Sequence, residues 1–379
     1  MRPIEAPFAP RRVGGAFPPP RPPERARVPG PTSLSAHPSQ QSPFLRACRR
    51  EPVPFTPVWL MRQAGRYMKE YREVRARASM LELCKSPELV SEVTVFAAKR
   101  IGADAAILFA DLLLIVEPLR LRLEYAQGEG PVIEPAVRSG RDVDALREVH
   151  PDDLSYVYDA VRRTRADLPE ALPLIGFAGA PFTVASYLIE GGSTRHFERT
   201  KALMYRDEGA WNALLAKLVR ATAGYLARQV EAGAQALQVF DSWVGCLSPS
   251  DYRRYVRPHT AALFAALPPG VPAIHFGTGA GALLADMRES GGSVLGLDWR
   301  VELGPTWDAL GPDTAVMGNL DPLVLLAEPA TIRREVVRIL AEAAGRPGHV
   351  FNLGHGILPE TPVENVCLLV ELVHELSRS

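Results

Sequence analysis

Residues 58–67 read VWLMRQAGRY, a short apolar run followed at once by arginine, glutamine and glycine. The same arrangement, an apolar run that ends in polar residues, recurs from about residue 43 onward. Eight such runs alternate with longer segments of helical periodicity: Val58 to Met61, Ala105 to Ala110, Leu174 to Ala178, Ala236 to Phe240, Ala273 to Phe276, Val294 to Leu297, Ala315 to Met317 and His349 to Leu353. Apolar strands that alternate with helices predict a parallel sheet covered on both faces.

Eight is the number of strands that closes a (β/α)8 barrel, and a doubly wound open sheet is the alternative. The polar residues at the carboxyl ends of the runs favour the barrel, because these ends gather on one rim, where such folds place their active sites. They are Arg62 with Gln63, Asp111, Asp241 with Ser242, His275, Asp298, Asn319 with Asp321, and Asn352 with His355. We therefore predict an α/β protein, a single TIM-type (β/α)8 barrel over residues 43–379.

Two helices are indicated by ordinary start, stop and periodicity signals. Ser86 before Pro87 is a helix N-cap followed by proline at the first helical position, and Gly102 is placed to end that helix. Later in the chain, apolar and aromatic residues recur at steps of three and four and form one face of a helix that ends near Gly233: Trp211, Leu214, Leu215, Leu218, Thr222, Tyr225 and Leu226.

The first 42 residues are dense in proline and arginine and poor in large apolar side chains. Such a segment cannot bury enough apolar surface to fold, so we predict a disordered extension over residues 1–42. Its scarcity of acidic residues is shared with transit peptides, but it lacks an amphipathic helical period and has few serines. We therefore favour a cytoplasmic protein with an unprocessed extension over an organelle-targeted one.

The composition excludes several classes of function. The chain has 379 residues, with 43 basic and 43 acidic side chains, and zero formal charge argues against non-specific binding to nucleic acid or an anionic membrane. No apolar run approaches the length of about 18 residues that spans a bilayer. The four cysteines are far apart and the histidines lack ligand spacing, so the sequence predicts no metal.

The segment Arg62-Gln63-Ala64-Gly65-Arg66-Tyr67 is the most informative motif. Its two guanidinium groups are four residues apart, and a glycine between them allows close approach of the backbone. Such a pair suits the binding of carboxylates or phosphates. The alternative is a pair of surface arginines that bridge to acidic residues on helices. The position just after a strand favours the binding interpretation.

Asp111 directly follows the apolar run that contains Phe109, and Asp298 follows another run. A buried aspartate is costly unless it is hydrogen-bonded, so each either caps the following turn or accepts hydrogen bonds from a ligand. We favour a ligand-facing role for Asp111. For Asp298, with Arg300 two residues later, we favour a structural ion pair.

Two further segments carry polar groups near strand ends. Residues 176–183, GFAGAPFT, form a turn of small residues that leads to Tyr187, which is either a core aromatic or a ligand-facing hydroxyl. His275 lies within a strand and is interpreted as a core histidine whose hydrogen bonds are satisfied. His355 lies between glycines after a strand and is the preferred functional histidine. The motifs of nucleotide-binding loops, metallohydrolases and serine hydrolases are absent from the sequence.

These motifs together resemble a known family. The segments PVWLMRQAGRY (57–67), GFAGAPFT (176–183) and FNLGHGILP (351–359) are similar to the signatures of uroporphyrinogen decarboxylase, in the same order and spacing. The resemblance extends from about Phe44 to the C-terminus. The first 42 residues have no counterpart in the family pattern.

The resemblance implies a (β/α)8 barrel, a homodimer, and removal of CO2 from the four acetate side chains of uroporphyrinogen III to give coproporphyrinogen III without a cofactor or metal. By motif, Arg62 and Arg66 bind carboxylates and Asp111 accepts the pyrrole N–H groups. The resemblance assigns Asp111, Arg62, Tyr187 and His355 to catalysis. The implied substrate-binding set is Arg62, Gln63, Ala64, Gly65, Arg66, Phe109, Asp111, Tyr187, Ser242 and His355.

Two alternatives stay open from the sequence. Methylcobamide-dependent methyltransferases share the barrel, but they need a zinc site with histidine and cysteine two residues apart on a strand. Here Gly277 stands two residues after His275, so that thiolate is missing. The second alternative is a tetrapyrrole carrier without catalytic activity, against which the complete set of cleft residues argues.

Overall fold

Seven of the eight predicted strands pair side by side in one parallel sheet of the computed structural model, which describes residues 37–126 and 130–378. The strands in chain order are β1 (Ala106–Ile107), β2 (Arg122–Ala126), β3 (Gly130–Glu134), β4 (Leu174–Gly179), β5 (Ala236–Asp241), β6 (Ala273–Gly277), β7 (Val294–Gly296), β8 (Ala315–Met317) and β9 (His349–Val350). The large sheet has the order β1-β4-β5-β6-β7-β8-β9, in which neighbours along the chain are neighbours in space. An alternating strand and helix sequence therefore folds as predicted, with helices between successive parallel strands.

The helices cover the outside of this sheet. They are α1 (Pro43–Cys48), α2 (Lys69–Arg77), α3 (Met80–Lys85), α4 (Pro87–Ile101), α5 (Gly140–Ala145), α6 (Ser155–Asp167), α7 (Pro181–Glu190), α8 (Glu198–Arg206), α9 (Glu208–Glu231), α10 (Pro249–Asp251), α11 (Arg257–Ala265), α12 (Leu284–Ser290), α13 (Leu303–Leu310), α14 (Pro329–Ala343) and α15 (Val363–Ser377). A π-helical turn, Tyr252–Val256, joins α10 to α11. Short 3-10 turns lie at Pro38–Gln41, Leu114–Val116, Pro151–Leu154, Val244–Cys246, Gly281–Leu283 and Pro322–Leu326.

The predicted first strand, Val58 to Met61, is wrong as a strand, because only Val58 pairs, in a single parallel bridge with Phe351. The backbone on either side nevertheless links the two edges of the sheet. Phe351 N donates to Pro57 O at 2.8 Å, and Asp104 N, just before β1, donates to Val58 O at 2.8 Å. Residues 57–61, called the closing segment below, therefore complete the barrel with hydrogen bonds next to both edge strands.

The barrel interior is filled from the N-terminal ends of the strands. Phe44 and Leu45 of α1 belong to the same buried cluster as Ile175, Ile274 and Val294, which lie at the beginnings of β4, β6 and β7. This helix covers one end of the barrel. The carboxyl ends of the strands form the opposite rim, where the predicted polar residues lie.

The two helices expected from local signals are confirmed. The Ser86 hydroxyl accepts a hydrogen bond from Leu89 N at the start of α4, and Gly102 ends that helix in a left-handed conformation with φ of 69°. Helix α9 buries every residue of the predicted apolar face and ends at Glu231, two residues before Gly233.

A two-stranded antiparallel hairpin of β2 and β3 was not anticipated. It follows β1 and contacts the end of α7, because Val132 forms a bridge with Gly192 and Ile133 N donates to Gly191 O at 3.0 Å. The alternation of apolar and polar residues over 121–125, LRLEY, is the period-two signal that indicates such a strand.

Part of the predicted N-terminal extension lies among the described residues. Residues 38–41 form a 3-10 turn in which Ser39 is buried, and Ser42 caps α1 by accepting from Leu45 N. The amide of Gln235 donates to the Ser39 hydroxyl. Residues 1–36, on which the rest of that prediction falls, lie outside the described residues.

Candidate functional site

Arg62 lies at the first turn after the closing segment and has a left-handed backbone with φ of 59°, which is uncommon for a residue with a side chain. Its side chain packs directly on Gly356: a Cβ at that glycine would lie 2.4 Å from Arg62 Cδ. Among the described residues, neither Arg62 nor Arg66 forms an ion pair with a carboxylate. The alternative in which these arginines bridge to helix acids is therefore not observed.

Burial lowers the pKa of the Arg62 guanidinium, and the nearby positive charge of Arg66 lowers it further. The phenol of Tyr187 opposes this shift, which places that side chain close to Arg62 as well. A partly desolvated cation beside a second positive charge forms a site whose electrostatic energy improves when an anion enters.

Asp111 follows β1 in a turn, where its Oδ1 accepts a hydrogen bond from Leu113 N at 2.8 Å. Burial raises the pKa of its carboxyl, while Tyr125 and the Leu113 amide lower it. The Tyr125 hydroxyl is buried and has no hydrogen-bond partner among the described residues, although it is close enough to influence Asp111. Asp111 therefore caps its turn and retains capacity to accept further hydrogen bonds.

Tyr187 lies on helix α7 and stacks on Trp243, with ring centroids 3.7 Å apart and an interplanar angle of 27°. Burial raises the pKa of its phenol to about 12, and the negative charge of Asp111 contributes to that shift. Arg62 acts in the opposite direction. The phenol is protonated at neutral pH and is available as a hydrogen-bond donor.

His355 lies in the loop after β9, with its ring edge-to-face against Trp299 at a centroid distance of 6.1 Å. Burial lowers the pKa of its imidazole, and the positive charge of Arg62 lowers it further. The imidazole is therefore neutral at neutral pH in the absence of a bound anion.

Electrostatic interactions link Arg62 with Arg66, Tyr187 and His355, and link Tyr187 with Asp111. These residues come from four separate parts of the chain, because Arg62 and Arg66 belong to one motif. The arrangement places two cations without a carboxylate partner near a phenol, and the same phenol near a half-buried carboxylate. This suits an anionic molecule that also carries hydrogen-bond donors or develops positive charge.

Other predicted site residues lie differently. Gln63 is buried, and its amide bonds Leu60 N and Ala105 O, so its side chain stabilises the closing segment. Gly65 packs against Arg62 O, and Ala64 lines a cavity of about 190 Å³ with Met68 and Tyr71. These residues position Arg62 and Arg66 through the backbone of the turn.

Phe109 and Ser242 lie near the cleft residues along the chain. Phe109 is half-buried, and its ring contacts Tyr71 at a centroid distance of 5.5 Å. Ser242 is half-buried, directly precedes Trp243, and forms no side-chain hydrogen bond with another described residue. Its hydroxyl is therefore available to a ligand.

Two residues that the sequence assigned to structure have that role. Asp298 is buried and bonds Arg300 Nη1 at 3.0 Å and Arg300 N at 2.9 Å, which confirms the ion pair. His275 is fully buried in β6, which confirms its core position but not the predicted hydrogen bonding of its ring. Its two ring nitrogens have no hydrogen-bond partner among the described residues, and Nε2 lies 4.0 Å from Asp241 Oδ2.

Tyr125 and Trp243 are near the site but were not identified from the sequence. Tyr125 lies on the unanticipated hairpin, so its approach to Asp111 depends on that hairpin. Trp243 follows Ser242 directly, and an aromatic residue just past a strand end was an available signal. Within residues 37–126 and 130–378 no cluster of three or more metal-ligating side chains is present, and none of the helices there could cross a membrane.

Comparison with known proteins places this geometry in context. Residues 39–376 match the family model described as uroporphyrinogen decarboxylase. The uroporphyrinogen decarboxylase of Sorangium cellulosum is 54% identical over 338 residues, which cover 89% of this chain and 97% of that protein. An enzyme of the same name from Thermus thermophilus is 55% identical over 336 residues, 88% of this chain and 98% of that protein.

Among solved structures, a methyltransferase from Methanosarcina mazei aligns with a TM-score of 0.71. The alignment covers 90% of this chain and 99% of that chain at 21% sequence identity. At this level of identity the likeness concerns the fold, and it agrees with the closed parallel sheet described above.

Proposed function

Because the chain belongs to the uroporphyrinogen decarboxylase family, we propose that its cleft of Arg62, Asp111, Tyr187 and His355 binds uroporphyrinogen III and removes CO2 from the four acetate side chains. The chain is a carboxy-lyase of tetrapyrrole biosynthesis. The product of the proposed reaction is coproporphyrinogen III. The observation that carries the assignment of the site is the position of Tyr187, which interacts both with Arg62, a cation without a carboxylate partner among the described residues, and with the Asp111 carboxylate.

The charge pattern of the cleft matches the chemistry of this substrate. Uroporphyrinogen carries eight carboxylates around a flexible macrocycle whose pyrrole N–H groups can converge on one acceptor. Arg62 and Arg66 supply bidentate donors for the acetate or propionate groups. Asp111 supplies a central acceptor for the N–H groups, and the free hydroxyl of Ser242 offers a further hydrogen bond.

Decarboxylation proceeds in this site by protonation of the pyrrole α-carbon next to the ring carbon that carries the acetate. The resulting cation withdraws electrons from the bond between the methylene carbon and the carboxylate, so that this bond breaks and CO2 leaves. The ring then loses the added proton as the methylene carbon gains one, which leaves a methyl group and consumes one proton overall. The Asp111 carboxylate stabilises the positive charge that develops on the ring.

No group outside the substrate is needed as an electron sink, because the protonated pyrrole provides it. We therefore propose that the enzyme acts without a cofactor or metal. The proton donor is Arg62, His355 or a water molecule. Substrate carboxylates raise the pKa of both side chains when they bind, which opposes the effect of burial on each. The pH dependence of kcat in Arg62→Lys and His355→Gln distinguishes the donors.

The proposed assembly is a cytoplasmic homodimer that binds neither nucleic acid nor membrane. The zero formal charge supports the second half of this proposal. Leu323 and Leu326, which are 56% and 45% exposed on the loop after β8, offer an apolar surface that association can cover. Sedimentation equilibrium of the purified protein measures the oligomeric state, and a monomer at micromolar concentration would contradict a stable dimer.

The function is tested by incubating the purified chain with uroporphyrinogen III under anaerobic conditions. After oxidation of the products to porphyrins, chromatography counts the remaining carboxylates. We expect the octacarboxylate to be converted to the tetracarboxylate, and the same rate after exhaustive treatment with chelators. A folded protein that binds the substrate without loss of carboxylates would instead be a carrier. Loss of the activity on chelation would contradict metal-free catalysis.

A further inference from the structure

Thr183 and Tyr187 are one helical turn apart on α7 and therefore share one face of that helix. Opposite them, Asp241 and Trp243 are two residues apart at the end of β5. Three contacts join the two pairs. The Thr183 hydroxyl donates to Asp241 Oδ1 at 2.9 Å and accepts from Trp243 N at 3.3 Å, and the Tyr187 ring stacks on Trp243.

This network includes the proposed cleft residue Tyr187. Thr183 and Asp241 are fully buried, whereas Tyr187 and Trp243 are partly exposed at the rim. The backbone adds a fourth link, since Ala180 N, just before α7, donates to Phe240 O at 2.8 Å. The buried pair therefore connects the carboxyl end of β5 to the helix that carries Tyr187.

The burial of Asp241 is costly in itself. Its Oδ2 has no hydrogen-bond partner among the described residues and faces the buried His275 Nε2 at 4.0 Å. A buried carboxylate with one unpaired oxygen is a weak source of stability, because removing the charge from water is only partly compensated. The other oxygen, Asp241 Oδ1, accepts the hydrogen bond from the Thr183 hydroxyl. This bond holds the hydroxyl in the orientation in which it also accepts from Trp243 N.

We propose that Asp241 and Thr183 are positioning residues that hold the Tyr187–Trp243 stack as a wall of the substrate cleft. This inference rests on the proposed function for its kinetic consequence, but the geometry of the wall does not depend on the reaction. The carboxylate orients the threonine hydroxyl, and the hydroxyl anchors the backbone of Trp243. The indole then fixes the Tyr187 ring, and with it the direction of the phenol.

Thr183→Val tests this chain of contacts, because valine has nearly the same shape and lacks both hydrogen bonds. We expect kcat to fall tenfold or more with a smaller change in KM, since misplacement by about an ångström near reacting groups can reduce the rate by up to about a hundredfold. Thr183→Ser keeps the hydroxyl and should restore most of the rate. Asp241→Ala should reproduce the loss, and Asp241→Asn, which keeps an acceptor, should remain within about threefold of wild type.

The stack itself is observed by near-ultraviolet circular dichroism. The difference spectrum between wild type and Trp243→Phe identifies the contribution of Trp243 among the five tryptophans. Thr183→Val should lose most of that signal. Thr314→Val is the matched control, because Thr314 is also buried and donates to Leu310 O at 3.2 Å, but it precedes β8 at the opposite end of the barrel.

The inference is overturned if Thr183→Val keeps the Trp243 signal and the wild-type kcat, or if Thr314→Val lowers kcat to the same extent. It is also overturned if Thr183→Ser is as impaired as Thr183→Val. If Thr183→Val does not fold, Asp241→Ala and Asp241→Asn carry the same comparison. Absence of decarboxylation by the wild type would contradict the proposed function alone, and the dichroism would still decide whether the wall depends on Thr183.

Discussion

Gly356 packs so closely on Arg62 that a methyl group at residue 356 would lie 2.6 Å from Arg62 Cγ and 2.8 Å from Arg62 Nε. Because the obstructed atoms belong to a long side chain rather than to backbone, we expect Gly356→Ala to fold and to displace the guanidinium. KM for uroporphyrinogen should rise tenfold or more, since a misplaced cation loses its bidentate geometry. Steady-state kinetics with a melting curve for each variant measures the effect.

Gly224→Ala is the control for that substitution. Gly224 lies within α9, where an added methyl group would only reach Pro151 Cγ at 3.4 Å. Alanine favours the helix, so this variant should keep wild-type kinetics with equal or higher stability. Wild-type KM in Gly356→Ala would mean that Arg62 does not contact the substrate from its present position.

Asp111→Asn should lower the decarboxylation rate by about 10² to 10³, because it removes the charge that stabilises the protonated pyrrole. The same variant should be more stable than wild type at neutral pH. Burial raises the pKa of the Asp111 carboxyl, so the folded protein binds its proton more tightly than the unfolded chain does. The ionised group therefore costs stability above the raised pKa, and the advantage of asparagine disappears as the pH falls below 3.8, the ordinary value.

Denaturant unfolding of wild type and Asp111→Asn between pH 3.5 and pH 8 measures this difference. Asp313→Asn is the control, because Asp313 pairs with Arg50 on the surface and is 79% exposed. It should leave the decarboxylation rate unchanged. A folded Asp111→Asn that decarboxylates at the wild-type rate would show that Asp111 serves only to cap the turn at Leu113.

Strand β9 contains a second group whose ionisation is coupled to folding. His349 is buried, and its ring bonds Gly318 O at 2.9 Å. Burial lowers the pKa of this imidazole from 6.5 to about 4, with Arg346 acting in the same direction. A lowered pKa in the folded state contributes stability that is complete above pH 6.5 and is lost as the pH falls toward 4, about 3 kcal/mol in all.

His349→Gln keeps an N–H donor for Gly318 O and cannot ionise. We expect its free energy of unfolding to fall less steeply between pH 6.5 and pH 4.5 than that of wild type, although the loss of ring contacts with Trp307 and Phe351 lowers it at neutral pH. Urea unfolding at several pH values measures both effects. His196→Gln, at an exposed position, is the control for replacing a histidine by glutamine. Equal slopes in His349→Gln and wild type would contradict this assignment.

The helices and strands that the sequence predicts well are those with local signals. Helix α4 has a serine cap and a terminal glycine, and α9 has a continuous apolar face. The run at Val58 was predicted as a strand because it is apolar, but its hydrogen bonds are determined by Phe351 and Asp104, which are far away in the chain. Such long-range pairing leaves no local signature.

The candidate site also combines features that have local sequence signals with features that depend on long-range contacts. Arg62, Asp111, Tyr187 and His355 could be proposed from their positions after strands or within motifs, and the fold brings them together. Gln63 belongs to the same motif, yet its amide is used within the backbone turn. Sequence position predicts which residues reach the rim, but the direction of each side chain depends on contacts with other strands.

At the scale of the whole molecule, the question is at which residue the folded part of the chain begins. We expect a chain that begins at residue 37 to keep the melting temperature and activity of the full chain, because residues 1–36 lack the apolar side chains needed for docking. A chain that begins at residue 43 should melt at a lower temperature. It loses the Ser42 cap of α1, worth about 1 kcal/mol, and the Ser39 hydroxyl that accepts from Gln235.

Calorimetry of the full chain and the two truncated chains measures this difference, and the decarboxylation rate reports on the site. Arg49 Nη2 also donates to Gln40 O at 2.7 Å, so the shorter chain loses contacts to two parts of the barrel. If both truncated chains have the same melting temperature as the full chain, the turn at residues 38–41 does not contribute to stability. If the chain from residue 37 is inactive, the extension has a function that its composition does not indicate.

Closure of the barrel by Val58 also determines when the fold can be completed during protein synthesis. Val58 is translated early, but its partner Phe351 follows nearly 300 residues later. Likewise, Met61 N donates to Asn352 Oδ1, which is 291 residues further along the chain. Until the ribosome has released the last strand, the hydrogen bonds of residues 57–59 with Phe351 cannot form and the sheet cannot be closed. Contacts of such long sequence separation form slowly and leave intermediates open to aggregation. The apolar run at Val58 is thus synthesised before the strands of the sheet but is among the last segments to form its hydrogen bonds.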